Sequence, residues 1–168
     1  MKQLLLLRHA KSSWDDPELA DEDRPLAPRG RKATKALDRW IAAHAVRPDT
    51  VLCSPARRTR ETYERLQGSL AEPPLTIEPR LYHAGLETLL EVVQGLPDDV
   101  ERPLVVGHNP GLAQLCLTLS RPSPERRRVE ENLPTGALCI LELDPGTWRD
   151  TAPGTAELVE LVLPRELG

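Results

Sequence analysis

The chain has 168 residues, with 22 lysines and arginines against 26 aspartates and glutamates, a formal charge of −4. At 39% apolar and 29% charged residues it is too apolar and too evenly charged for a disordered chain, and its length suits a single domain spanning residues 1–168. The mild acidity argues against a nucleic-acid partner, and no apolar run approaches the roughly 18–20 residues of a membrane span.

The first element is the apolar run Gln3–Leu7, a strand buried on both faces. Arg8 cuts the apolar run after four leucines, short of the roughly 7–15 residues of a secretory core, so a cytoplasmic location is expected. Arg29 to Ala45 carries Ala33, Leu37, Trp40, Ile41 and His44 at helical spacing, with His44 expected to be packed or half-buried. Thr50–Cys53 is a second strand. Ser54-Pro55 then reads as an N-cap followed by proline, opening a helix with Ala56, Thr59, Tyr63, Leu66 and Leu70 on one stripe.

Leu75–Ile77 is a third strand, and Leu86, Leu89, Leu90, Val93 and Leu96 mark a helix. Pro103–Val106 is a fourth strand, after which Asn109-Pro110 repeats the cap-then-proline signature. Ala137–Leu143 and Leu158–Leu163 are two late strands separated by the turn signal Asp144-Pro145-Gly146. Arg126-Arg127-Arg128, followed by Glu130 and Glu131, reads as a solvated loop or helix face, with the rim of an anion pocket as the alternative. Cys53, Cys116 and Cys139 are odd in number and lack a CxxC pair, which fits buried thiols better than a disulfide frame or a zinc site. Strands alternating with helices predict a three-layer α/β domain, a central mixed sheet flanked by helices.

The chemistry-bearing residues follow the strands. Arg8-His9 follows the first, Arg58 lies in the first turn after the second, and His108 follows the fourth. Ligands of open α/β sheets collect at the carboxyl edge of parallel strands. If these strands are parallel, two arginines and two histidines there form a cationic cup for a phosphate-like anion, with the helix near Pro110 adding backbone N–H groups. The alternative is an incidental Arg-His pair at a strand end, with His108 simply a capping residue. An arginine fork clamps two phosphate oxygens and stays charged at working pH. A neutral imidazole among cations, its pKa depressed by them, is a nucleophile towards phosphorus.

Leu6-Leu7-Arg8-His9-Ala10-Lys11-Ser12, Asp23-Arg24-Pro25-Leu26 with Gly30, Ser54-Pro55-Ala56-Arg57-Arg58-Thr59-Arg60-Glu61-Thr62 and Val106-Gly107-His108-Asn109-Pro110-Gly111 resemble, in order, the signature blocks of the histidine phosphatase superfamily. The resemblance is strongest to its short branch, the SixA-type phosphohistidine phosphatases. It implies a phosphoglycerate mutase-like fold with a mostly parallel sheet, and a hydrolase working through a covalent phosphohistidine. His9 would be the nucleophile, with Arg8 and His108 on the phosphoryl oxygens. Arg57, Arg58 and Arg60 compete for the second arginine, and the family's spacing of four residues to a threonine selects Arg58 with Thr62. Lys11, Ser12, Arg24 and Asn109 are expected to line the substrate pocket.

The family's Arg-His-Gly is Arg-His-Ala here, and no clear general acid follows the third strand, where the chain reads Arg80-Leu81-Tyr82-His83-Ala84-Gly85. Glu87 is the nearest carboxylate, and Glu87 and Glu91 lie off the apolar stripe. His83 could line the pocket or lie on the surface. A missing acid disfavours ester cleavage, whose alkoxide benefits roughly 10²–10⁴-fold from protonation, and points to an N–P bond whose imidazole leaves protonated by water. Three readings follow: a phosphatase for phosphohistidine in a protein, a small-molecule phosphomonoesterase, and an inactive phosphate-binding module. No metal or other cofactor is expected, and the chain is expected to be a monomer.

Overall fold

The computed structural model describes residues 1–143 and 146–167. The chain forms β1 (Lys2–Arg8), α1 (Pro28–His44), β2 (Thr50–Cys53), α2 (Arg57–Glu64), β3 (Leu75–Ile77), α3 (Leu86–Gln94), β4 (Pro103–Gly107), α4 (Gly111–Leu119), α5 (Pro124–Glu131), β5 (Leu138–Leu143) and β6 (Ala156–Val162). The described strands make a six-stranded sheet in the order β3-β2-β4-β1-β5-β6. The first four are mutually parallel, with Leu5 opposite Leu104 and Arg8 opposite Gly107. β5 runs antiparallel to both β1 and β6. This is the phosphoglycerate mutase-like architecture, with a mixed sheet between two helical layers.

The pleat of β1 explains the layering. Leu4 and Leu6 face the core built with α3, α4 and Trp148, whereas Leu5 and Leu7 face the core built with α1 and the segment after β2. All four leucines are buried. At roughly 2 kcal/mol for each buried leucine, this run alone makes β1 a strongly held central strand. β4 is buried along its whole length for the same reason.

Several boundaries differ from the sequence expectations, each for a local reason. α2 begins at Arg57 with Ala56 at its N-cap, because the Ser54 hydroxyl closes a tighter turn by accepting from the Ala56 N–H at 3.3 Å, while also bonding His108 Nε2. Regular α2 ends at Glu64, although Leu66 and Leu70 remain buried in the turns that follow. α4 begins at Gly111 after a cis Asn109–Pro110 bond, and the Asn109 side chain still accepts from the Ala113 N–H.

His44 is exposed, not packed, and stacks on Trp40 with ring centroids 4.0 Å apart. The buried stripe of α1 is Gly30, Thr34, Leu37 and Ile41. β6 spans Ala156–Val162, beginning two residues earlier than expected. Arg126 to Glu131 lies in α5, where Arg126 donates to the carbonyls of Leu117 and Ser120 at the end of α4 and pairs with Glu130. Arg128 pairs with Glu166, so Arg126 and Arg128 brace neighbouring elements. In the expected late turn, Asp144 and Pro145 lie outside the described residues. Cys53, Cys116 and Cys139 are free and buried.

Candidate active site

β1, β2 and β4 are parallel neighbours, so their carboxyl ends deliver Arg8-His9, Ser54 and His108 to one edge of the sheet. His9 is 7% exposed. Its Nδ1 lies 2.7 Å from the carbonyl of its neighbour Ala10. A carbonyl only accepts, so Nδ1 carries the proton and the neutral ring keeps its lone pair on Nε2. Burial pushes the His9 pKa down to about 4, and the charges of Arg58, Arg8 and Arg24 push in the same direction. The cationic neighbours expected from the sequence therefore act second to desolvation.

The turn that presents His9 is pinned from two sides. The Thr62 hydroxyl accepts from the Ala10 N–H at 3.0 Å and donates to the Arg58 carbonyl at 2.6 Å. This threonine ties the first turn of α2 to the His9 segment, a physical reason for the four-residue spacing. Ala10 is fully buried with an ordinary negative φ, so alanine fits where the family carries glycine. On the other side a Cβ at Gly30 would come within 2.2 Å of the Lys11 carbonyl, so α1 packs backbone to backbone against this segment only with glycine there.

His108 has its ring centroid 5.3 Å from that of His9. Its Nε2 is 2.7 Å from Ser54 Oγ, and its Nδ1 is buried without a partner. Burial, followed by the neighbouring His9 and Arg58, lowers its pKa to about 3. Arg8 donates from Nη1 to the Leu133 carbonyl, while its Nε is buried and unpartnered among the described residues. Burial and the charge of Arg58 lower the Arg8 pKa. The site thus holds two desolvated donors facing no acceptor, as an anion site requires.

Arg58, 7% exposed, is the one of the three competing arginines that turns inward. Its Nη1 donates to the Asp21 carbonyl and its Nη2 to Asp21 Oδ2. Arg57 instead pairs with Glu61, and Arg60 donates to the Pro55 carbonyl, both on the exposed face. Asp21 went unnoticed in the sequence. Its carboxylate also accepts from Arg24 at 3.0 Å and from the Tyr82 hydroxyl at 2.7 Å. The Tyr82 hydroxyl, Arg24 and Arg58 hold it well below the usual carboxylate range, so it is ionised.

The expected pocket residues are distributed unevenly. Ser12 and Arg24 are buried and bond to each other at 2.6 Å, with Arg24 also stacked on the exposed Trp14 at 3.2 Å. Asn109 shares the Leu133 carbonyl with Arg8, and its other amide atom caps α4. The N–H groups of Leu112, Ala113 and Gln114 are taken by His108, Asn109 and Pro110, so these three amides of α4 do not stand free as the sequence suggested. Lys11 is exposed. His83 is exposed at φ +58° against Tyr82, and Glu87 and Glu91 are exposed on α3.

Comparison with known proteins agrees with this arrangement. Residues 4–89 match the sequence model of the histidine phosphatase superfamily (branch 1). An uncharacterized protein of Mycobacterium tuberculosis is 37% identical over 163 residues, covering 95% of this chain and all of the relative. A Nakamurella multipartitia structure described as a phosphohistidine phosphatase SixA superposes with a TM-score of 0.84 at 29% identity, covering 97% of this chain and 96% of that one. A structure from Agrobacterium tumefaciens with the same description gives 0.82 at 26% identity, covering 97% and 98%. The chain therefore belongs to the histidine phosphatase superfamily, with a SixA-like structure, and is a phosphatase of the hydrolase class.

Proposed function

We propose that the chain removes phosphate from phosphohistidine in a protein, using His9 as the nucleophile. The observation that carries this reading is the bonding of Asp21, whose carboxylate accepts from the Tyr82 hydroxyl, Arg24 and Arg58. The carboxylate bonded into the cup is held ionised by Tyr82, Arg24 and Arg58, so it has no proton to give a leaving group. Ester cleavage without a protein acid would expel a poor alkoxide. A phosphohistidine ring takes its proton from water and departs neutral.

In the proposed sequence, His9 Nε2 attacks phosphorus as the substrate N–P bond breaks, and the departing imidazole holds a solvent proton. Arg8 and Arg58 take the charge of the equatorial oxygens. The Ser54 hydroxyl donates to His108 Nε2, placing the His108 proton on the otherwise unpartnered Nδ1, a donor to the same oxygens. Water then attacks phosphorus, the His9–phosphorus bond breaks, and inorganic phosphate leaves with His9 neutral again. Asp21 keeps Arg58 and Arg24 in place until phosphate takes up the Arg58 fork.

Substrates of graded leaving-group pKa test this reading, with a phosphohistidine protein set against aryl and alkyl phosphates. Turnover of the esters is expected to fall steeply as leaving-group pKa rises, while phosphohistidine reacts well near neutral pH. Asp21→Asn should slow all of them by about the same factor, on the order of tenfold, as loss of a positioning contact does. A loss confined to poor leaving groups, in Asp21→Asn or in Glu87→Gln, would identify a general acid and move the assignment to a phosphomonoesterase.

A further inference from the structure

Along α1, beside the site but not part of it, runs a groove of about 440 Å³. Lys11, Arg29, Lys32, Arg39 and Arg165 line it, and among the described residues no carboxylate does. This is a local excess of five positive charges in a chain whose net charge is −4. The Arg126 guanidinium is tied to carbonyls and Glu130, and that of Arg128 to Glu166. The five groove side chains, by contrast, have no hydrogen bond or ion pair among the described residues.

Arg29, Lys32, Ala33, Ala36 and Arg39 fall three or four residues apart and form one face of α1. That face lies beside the buried stripe of Gly30, Thr34, Leu37 and Ile41. The two alanines give the groove a shallow apolar floor between cationic rims. The opposite wall includes Pro134 and Thr135. That wall continues directly into the site, because the next residue, Gly136, donates its N–H to the carbonyls of Arg8 and His9. At its near end Lys11 stands two residues beyond His9.

We infer that this groove docks an acidic segment of the phosphorylated protein partner, holding it so that the phosphohistidine reaches His9. The inference rests on the protein-phosphohistidine reading above. From Arg29 to Arg39 the helix rises about 15 Å, the length of about five extended residues, so a short run of aspartate and glutamate suffices. Charge complementarity selects an acidic occupant and steers its approach. The floor is alanine, and among the described residues no aromatic ring on which a base could stack lines the groove, which favours a polypeptide over a nucleic acid.

The test uses the whole chain and a triple charge reversal, Arg29→Glu, Lys32→Glu and Arg39→Glu, none of which touches the cup. A labelled glutamate-rich peptide of about ten residues, its glutamine counterpart and an oligonucleotide of similar length are titrated by fluorescence anisotropy. The wild type is expected to bind the acidic peptide, more weakly as salt rises, and the glutamine peptide at least about tenfold more weakly. The reversal should remove that preference. With a phosphohistidine placed at one end of each peptide, the reversal should lower kcat/KM for the acidic one by about tenfold through KM. Turnover of an aryl phosphate should stay unchanged.

Equal binding of acidic and neutral peptides, or tighter binding of the oligonucleotide, would overturn the proposal. So would a reversal that leaves the acidic peptide's affinity intact. If the acidic peptide binds as expected but neither phosphohistidine peptide is hydrolysed while the aryl phosphate is, the groove stands and the substrate assignment fails.

Discussion

At the amino-terminal end of β1, Lys2 Nζ donates to the carbonyls of Asp98 and Val100 and sits 5.1 Å over the Trp148 ring. The fully buried Trp148 donates from its indole nitrogen to the same Val100 carbonyl, and both Asp49 oxygens accept backbone N–H groups of Glu101 and Arg102. At the carboxyl end, about 20 Å away for a seven-residue strand, Arg8 Nε and His108 Nδ1 are buried with no partner, and His9 and His108 resist protonation. One end spends most of its polar groups on the fold, with the buried Thr151 Oγ1 near Trp148 the exception among the described residues. The other desolvates cations and imidazoles and leaves donors open, at a cost of about 1–3 kcal/mol for each buried orphan. That cost is tolerable because the four leucines of β1 are buried between the two ends. The contrast teaches that open buried donors collect at the end of the strand that carries the proposed site, while the opposite end is largely satisfied.

The sharpest way to break this division of labour is to remove His9. His9→Ala should lower turnover by at least about 10⁴-fold, as loss of a nucleophile does, while the far-ultraviolet circular dichroism stays native. Wild type mixed rapidly with labelled substrate and denatured in alkali should carry an acid-labile phosphate on His9. Label on Ser54 or Cys53 would place the chemistry on another side chain.

Arg58→Ala should come next, at on the order of 10²–10³-fold in kcat, the usual loss for a group that stabilises transition-state charge. Arg57→Ala and Arg60→Ala should each cost less than about threefold, since surface substitutions of this kind change little. Steady-state kinetics on one aryl phosphate suffice to rank the three. A dominant effect at Arg57 would mean that α2 presents a different face to the site.

The sequence made much of this end legible because its residues sit directly after strands. Arg8-His9 and His108 follow buried apolar runs whose ends are easily read, and parallel strands leave only one place for those ends to meet. Thr50–Cys53 and Leu75–Ile77 fall where the pattern put them. Asp21 was not legible. It lies in a short 3-10 turn within the long irregular stretch between β1 and α1, with acidic neighbours at Glu22 and Asp23 and no periodicity to tell which carboxylate turns inward. The start of α2 was misread because Ser54 has the composition of a cap, whereas its hydroxyl accepts from the Ala56 N–H in a turn before the helix and bonds His108. His44 was misplaced because the stripe was drawn through Trp40, whereas the buried face runs through Thr34, Leu37 and Ile41.

A third measurement sharpens the comparison through pH. In the unfolded chain both imidazoles bind a proton near pH 6.5, whereas folded His9 does so only at about 4 and His108 at about 3. Between pH 6.5 and 4 the unfolded state therefore binds more protons, and stability must rise with pH across that window. It should be fully present above pH 6.5 and decline on acidification, by up to about 3 kcal/mol from His9 alone. Urea unfolding at a series of pH values checks this. His9→Gln should flatten the slope by about one proton, and tungstate should oppose the decline by binding the folded state. A flat profile from pH 7 to 5 would mean that both rings are hydrated and that the site is not desolvated as described.

The smallest effect is expected at the opposite end. Trp148→Phe removes the indole N–H that donates to Val100 while keeping most of the apolar volume. The Val100 carbonyl retains Lys2 Nζ at 3.1 Å, so it is not left bare, and the loss should be about 1 kcal/mol. For a chain of this size that corresponds to a fall in Tm of about 2–4 °C. Turnover should stay within about twofold of wild type, because the site lies across the sheet and none of its hydrogen bonds passes through Trp148. His9→Ala supplies the mirror image, with activity lost and stability at pH 5 held or raised, since an imidazole that resists protonation is gone. If Trp148→Phe instead lowered kcat several-fold at unchanged fold, the two ends of β1 would be coupled through the strand, and the amino-terminal end would belong to the catalytic device as much as to the scaffold.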